Sequence, residues 1–121
     1  MLMEKRAHVC PVDAALEVIS GKWKMRILWT LTQEPHRYGE LHRAIPRVTE
    51  KMLAQQLRAL CEDGLVHRES YPEVPPRVEY SLTERGRALT PHLRRLGEWS
   101  EEHLPDRIAD ASVAEQALEE A

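Results

Sequence analysis

The sequence predicts a mainly α-helical domain with one small β-hairpin, an α+β fold. Three observations carry that prediction. Apolar residues recur at helical spacing in several separate stretches, residues 77–82 alternate apolar and polar side chains as a strand does, and Pro and Gly punctuate the boundaries.

Pro11 suits the first turn of a helix whose apolar stripe is Val12, Ala15, Leu16 and Ile19, ending at Gly21. Residues 22–31 form the next helical stretch, with Trp23, Ile27, Leu28 and Leu31 in phase. Residues 33–37 read as a loop. Residues 38–44 read as a short helix carrying Leu41 and Ile45 and stopped by Pro46. After the connector 46–48, Thr49 is placed to cap a helix running to about Glu62, and Gly64 supplies the left-handed residue that ends it.

Two strands follow, residues 65–71 and 77–82. In the second, Val78, Tyr80 and Leu82 alternate with Arg77, Glu79 and Ser81. The loop between them holds Pro72, Pro75 and Pro76, which restrict its motion. Thr83 before Glu84 caps a last long helix with Leu89, Leu93, Leu96 and Trp99 on one stripe and an expected bend at Pro91. A weaker amphipathic stretch covers residues 108–118.

A short helix, a tight connector and a capped helix make a helix-turn-helix, and the attached hairpin makes a wing. The expected architecture is a winged helix-turn-helix with flanking dimerisation helices. It occupies residues 1–104, and an acidic segment with a short helix occupies 105–121. The stripe of Leu89, Leu93, Leu96 and Trp99 is the expected dimer interface, because one small domain has little core in which to bury it.

At 100° per residue the capped helix places Met52, Leu53, Leu57, Leu60 and Cys61 on one side. Lys51, Gln55, Arg58 and Glu62 lie opposite, with Ala54 and Ala59 at the margins. This polar face suits a DNA major groove. Cations donate to guanine O6 and N7, a glutamine amide pairs with adenine, and alanines let the backbone approach thymine methyls. Any surface helix also carries Lys, Gln and Arg outward, so the preceding short helix and following hairpin are what point to double-stranded DNA.

Composition agrees. The chain has 121 residues, 42% hydrophobic and 31% charged, an ordinary globular balance that fits one domain. Its net charge of −3 averages unlike segments. Residues 22–95 hold 14 Lys and Arg against 9 Asp and Glu, and residues 96–121 hold 1 against 8. A basic middle with an acidic end is the footprint of a nucleic-acid surface beside a solvated segment. No run approaches the roughly 20 apolar residues of a membrane span, and the first residues lack the apolar stretch of a signal peptide, so a cytoplasmic protein is expected. The six histidines are scattered singly and the two cysteines form no CxxC pair, so no metal or other cofactor is expected. Catalysis is not expected either. There is no phosphate-binding glycine loop, no HExxH and no nucleophile–base pattern.

Several linked motifs resemble the HxlR family of bacterial regulators, relatives of MarR-type winged helices. They are Cys10-Pro11-Val12, Gly21-Lys22-Trp23-Lys24 with Ile27-Leu28, Tyr38-Gly39-Glu40-Leu41, Lys51-Met52-Leu53-Ala54-Gln55-Gln56-Leu57, Asp63-Gly64-Leu65-Val66, Tyr71-Pro72-Glu73-Val74-Pro75-Pro76-Arg77-Val78-Glu79-Tyr80 and Leu82-Thr83-Glu84-Arg85-Gly86. The resemblance spans residues 10–99. It implies a homodimeric repressor or activator on a palindromic operator, with one recognition helix per half-site. The groove-facing set becomes Thr49, Lys51, Gln55 and Arg58, with Gln56 secondary. Arg77 becomes the wing contact to phosphate or minor groove, and Lys22, Lys24, Arg37 and Arg47 become candidate phosphate contacts. Trp23 is expected in the core.

Some relatives in that family sense oxidants or electrophiles through a cysteine near the amino terminus, and Cys10 matches its position. A helix start favours negative charge, which suits a reactive thiol, whereas a small buried hydrophobe is the other reading of this residue. The signal, a small molecule or an oxidant, is not specified by the residues. Cys61 is expected to pack. The competing functional reading is a winged helix that contacts proteins without binding DNA.

Overall fold

Where this chain turns is decided by a few residues with special backbone preferences. Gly21 and Gly64 take φ values of 120° and 76°, a region that a Cβ disfavours, and they close the first and fourth helices. Thr49 and Thr83 fix two helix starts by accepting from the backbone N–H of Met52 and Gly86, each at 3.1 Å.

The computed structural model describes residues 7–109. The elements are α1 (Pro11–Ile19), α2 (Lys24–Leu31), β1 (His36–Arg37), α3 (Tyr38–Ala44), α4 (Glu50–Glu62), β2 (Val66–Tyr71), β3 (Arg77–Leu82) and α5 (Glu84–His103), with a 3-10 turn at Pro105–Arg107. β1, β3 and β2 lie in that order in one antiparallel sheet. β2 and β3 pair from Val66↔Leu82 to Tyr71↔Arg77, the wing foreseen in the sequence.

The core forms where α4 crosses α2 and α3. Leu53, Leu57 and Leu60 of α4 meet Ile27 and Leu28 of α2 and Leu41 and Ile45 around α3, all essentially without solvent contact. Tyr80 and Leu82 of β3 close it from the sheet side. Each such side chain contributes about 1.5–3 kcal/mol by leaving water. Trp23 is buried with them, as expected, its indole N–H lacking a hydrogen-bond partner among the described residues.

Several expectations are corrected. The loop at 33–37 contains a strand, because His36 and Arg37 pair with Tyr80 and Glu79. Met52 is 37% exposed rather than buried. The buried arc of α4 is centred on Leu53, Leu57 and Leu60, and Met52 stands about 100° from that centre. The α1 stripe is largely uncovered. Ile19 is buried, while Val12 and Leu16 face outward, because the helix meets the core at its last turn. The α5 stripe is divided. Leu93 is 8% exposed and sits in the chain's own core with Leu89 packed nearby, whereas Leu96 and Trp99 are 50% and 51% exposed. Leu93 is therefore a core residue of the single chain, because α5 lies against α2 at that level. α5 continues helically through Pro91. The amphipathic stretch at 108–118 falls almost wholly outside the described residues.

At the start of α5 the packing leaves no room for a Cβ. A Cβ on Gly86 would stand 2.3 Å from the Leu65 carbonyl oxygen. That oxygen accepts from the Thr83 N–H at 3.1 Å, and the Thr83 hydroxyl donates to the Gly64 carbonyl at 2.6 Å. The end of α4, the start of β2 and the start of α5 are thus tied at one point.

Candidate nucleic-acid interface

The capped helix α4 is positioned by short-range contacts at its amino end. The Thr49 hydroxyl oxygen accepts from the Met52 N–H, and the Tyr38 hydroxyl donates to the Glu50 carbonyl at 2.7 Å. The second bond joins the first residue of α3 to the first residue of α4 and so sets the angle of the helix pair. Burial, with the charge of Glu50 adding to it, raises the Tyr38 pKa, keeping the phenol protonated as the donor. The backbone N–H of Arg37 is held by the Glu40 carboxylate at 2.7 Å, and that bond lowers the Glu40 pKa. Between the helices, Arg47 adopts φ 71°, a left-handed conformation that costs a side chain with a Cβ about 1–2 kcal/mol.

On α4 the structure brings Lys51, Gln55 and Arg58 together as an exposed row opposite the buried leucines. None of the three is held by a hydrogen bond or ion pair among the described residues, so their donors are open to a ligand. Ala54 and Ala59 flank the row and are half-buried. Gln56 lies off the row, with its Oε1 3.7 Å from the place where a Cβ on Gly21 would stand. Thr49, Arg37 and Arg47 are exposed around the helix pair. Lys22 is exposed with its ammonium 4.9 Å from the Trp23 ring centroid, and Lys24 is half-buried.

Arg77 stands in an arrangement that the sequence reading missed. Its guanidinium lies 3.7 Å from the Tyr71 ring centroid. Nη2 donates to Glu73 at 2.7 Å, Nε reaches the same carboxylate at 3.2 Å, and Nη1 donates to Glu79. The hydrogen bond from Arg77 lowers the Glu73 pKa, and the bonds to Glu73 and Glu79 raise that of Arg77. The strand alternation held part of this signal, since Arg77 and Glu79 are two apart and share a face. Convergence with Tyr71 follows from the hairpin register, and the loop then carries Glu73 to the same guanidinium.

The two cysteines differ. Cys10 is exposed at the N-cap of α1, its side chain making no capping bond. Cys61 is half-buried against the core, and burial pushes its thiol pKa up. Among the described residues no group of three or more His, Cys, Asp or Glu side chains is placed to hold a metal, and no helix is long and apolar enough to cross a membrane.

The chain matches the family model for the HxlR-like helix-turn-helix over residues 18–108. It is 44% identical over 108 residues to the HTH-type transcriptional regulator YdeP of Bacillus subtilis, a match covering 89% of this chain and 84% of YdeP. Among solved structures it is similar to the redox regulator HypR. The reduced form shares 47% identity at a TM-score of 0.74, covering 77% of this chain and 92% of HypR. The oxidised form shares 48% at 0.72, covering 78% and 97%. The reduced form of the transcriptional regulator YodB from B. subtilis is similar at 32% identity and a TM-score of 0.72, over 79% of this chain and 95% of YodB. These relatives are regulators and not enzymes, and the solved ones share the winged-helix fold described above. The chain belongs to the HxlR-like helix-turn-helix family of transcriptional regulators.

Proposed function

We propose that this chain binds double-stranded operator DNA as a homodimer, each protomer laying α4 in the major groove and its β2–β3 wing on the flanking backbone or minor groove. The observation that carries this reading is the exposed row of Lys51, Gln55 and Arg58, unengaged among the described residues, on a helix whose amino end is fixed by Thr49 and Tyr38. Lys51 and Arg58 donate to guanine and Gln55 to adenine, Arg37 and Arg47 meet phosphates beside the helix pair, and Lys22 and Lys24 are further phosphate contacts. A second copy covers the apolar surface left by α1 and α5, where Val12, Leu16, Leu96 and Trp99 are exposed. The groove of about 410 Å³ between α2 and α5, lined by Met25, Trp29, Leu93 and Leu96, lies in the same surface. Two-fold symmetry then spaces two α4 helices by one DNA turn, about 34 Å. A DNA-bound role places the protein in the cytoplasm.

A gel shift on the promoter of its own or a neighbouring gene, across a salt series, tests this. Lys51→Ala and Arg58→Ala each weaken operator binding by about 1–3 kcal/mol if they read bases. Unchanged affinity in both would refute the assignment of faces, and absence of binding by wild type would favour a protein-contact module.

A second reading concerns the signal. Cys10 offers an exposed thiol at a helix start, and HypR, a redox regulator solved in reduced and oxidised forms, is 47% identical to this chain. We infer that an oxidant acting on Cys10 releases the DNA. Diamide then weakens operator binding by wild type and spares Cys10→Ser. Equal loss in both proteins, or none in either, removes the idea.

A further inference from the structure

On the outer face of the wing the sheet register sets like charges against each other. Glu69 of β2 lies directly opposite Glu79 of β3, and Glu73 follows in the loop just beyond Tyr71. Directly opposed carboxylates push paired strands apart. Each carboxylate has a hydrogen-bond partner, and two of them share one. His67 Nε2 lies 2.9 Å from Glu69, and Arg77 holds both Glu73 and Glu79. Arg77 also faces Tyr71 across the last register pair and lies over its ring. One guanidinium therefore joins the loop, β3 and β2.

The geometry leaves little of Arg77 for a phosphate. All three of its side-chain nitrogens point at carboxylates, one of its faces is on the tyrosine, and the side chain is 20% exposed. Glu73 takes the Nε–Nη2 edge that a bidentate phosphate contact would use, and Glu79 takes an N–H of Nη1.

We propose that Arg77 is a positioning residue of the wing, clamping Glu73 and Glu79 over Tyr71 so that the hairpin keeps the shape in which it meets DNA, and that it is not itself a phosphate contact. This rests on the DNA-binding reading above. The consequence runs against simple electrostatics. Neutralising an acid near phosphates ordinarily strengthens binding, but neutralising Glu73 or Glu79 loosens the clamp and weakens it.

The test measures binding to a duplex carrying the promoter of the protein's own gene, over a salt series. The proteins are wild type, Glu73→Gln, Glu79→Gln, Arg77→Gln and the Arg77→Gln/Glu79→Gln double variant, each checked by circular dichroism to be folded. The expected result is a loss of about threefold or more in each single variant, with the salt slope unchanged. The double variant then binds no worse than Arg77→Gln, because both changes break one clamp. A salt slope lowered by about one in Arg77→Gln overturns the proposal, as that is the mark of a lost phosphate contact. So does binding by Glu73→Gln or Glu79→Gln at or above the wild-type level. Failure of wild type to bind is distinct from either pattern and defeats the DNA reading together with this proposal.

Discussion

Two glycines of α5 give one substitution opposite signs. Replacing a helix-interior Gly by Ala ordinarily stabilises by about 1 kcal/mol. At Gly97 nothing lies within 4 Å of the added methyl, so that gain is expected in full. At Gly86 the methyl meets the Leu65 carbonyl oxygen at 2.3 Å and the Leu82 Cδ2 at 3.3 Å. The carbonyl is held in place by the Thr83 N–H, so relief requires moving α5 away from β2 by the better part of an ångström. Overpacking of this kind costs about 1–3 kcal/mol, and a lost hydrogen bond adds about 1. Set against the helix gain, Gly86→Ala is expected to destabilise by about 1–3 kcal/mol. Urea denaturation at one protein concentration, with the m-value checked for constancy, gives both numbers. A raised midpoint for Gly86→Ala would refute the close approach of α5 to Leu65, and with it the junction of α4, β2 and α5.

Three further outcomes are expected. Thr49→Ala removes the cap of α4 and costs about 1 kcal/mol in urea denaturation, whereas a change below a few tenths would deny the cap its role. Arg47→Gly and Arg47→Ala separate backbone strain from charge. Both lose the Arg47 side chain, but the glycine relieves the positive φ and is more stable than the alanine by about 0.5–1 kcal/mol, and both weaken DNA binding if the cation meets phosphate. The last concerns pH. The Glu73 pKa is lowered in the fold by Arg77, so its contribution is present above the ordinary glutamate range and lost as pH falls through and below it. Followed by NMR, the ring-shifted Arg77 side-chain resonances over Tyr71 hold at neutral pH and collapse in acid. Collapse while glutamates are still ionised would contradict this origin.

Local rules made much of the molecule legible in sequence. A Thr cap, a terminal Gly and an i, i+4, i+7 leucine set act within a few residues, so α4 and its outward Lys51–Gln55–Arg58 row could be read directly. β1 could not. Two residues become a strand there through pairing with Tyr80 and Glu79, more than forty positions away in the chain. Leu93 shows the same limit on a helix face. Its stripe is continuous with Leu96 and Trp99, and the approach of α2, not any local pattern, decides where the chain's own core ends. At Arg77 the sequence displays a cation beside prolines and two residues from Glu79, while the hairpin register brings the Tyr71 ring to it and the loop brings Glu73.

The short strand β1 carries a mechanical consequence. It runs without a break into α3, and it is stitched to β3, the inner strand of the wing. α3 is in turn tied to α4 through Tyr38. α4 and the wing are therefore linked through α3 like the two arms of a single jaw. We infer that a signal acts on how the jaw is held, through α1 and the carboxyl-terminal half of α5, where Val12, Leu16, Leu96 and Trp99 stay exposed.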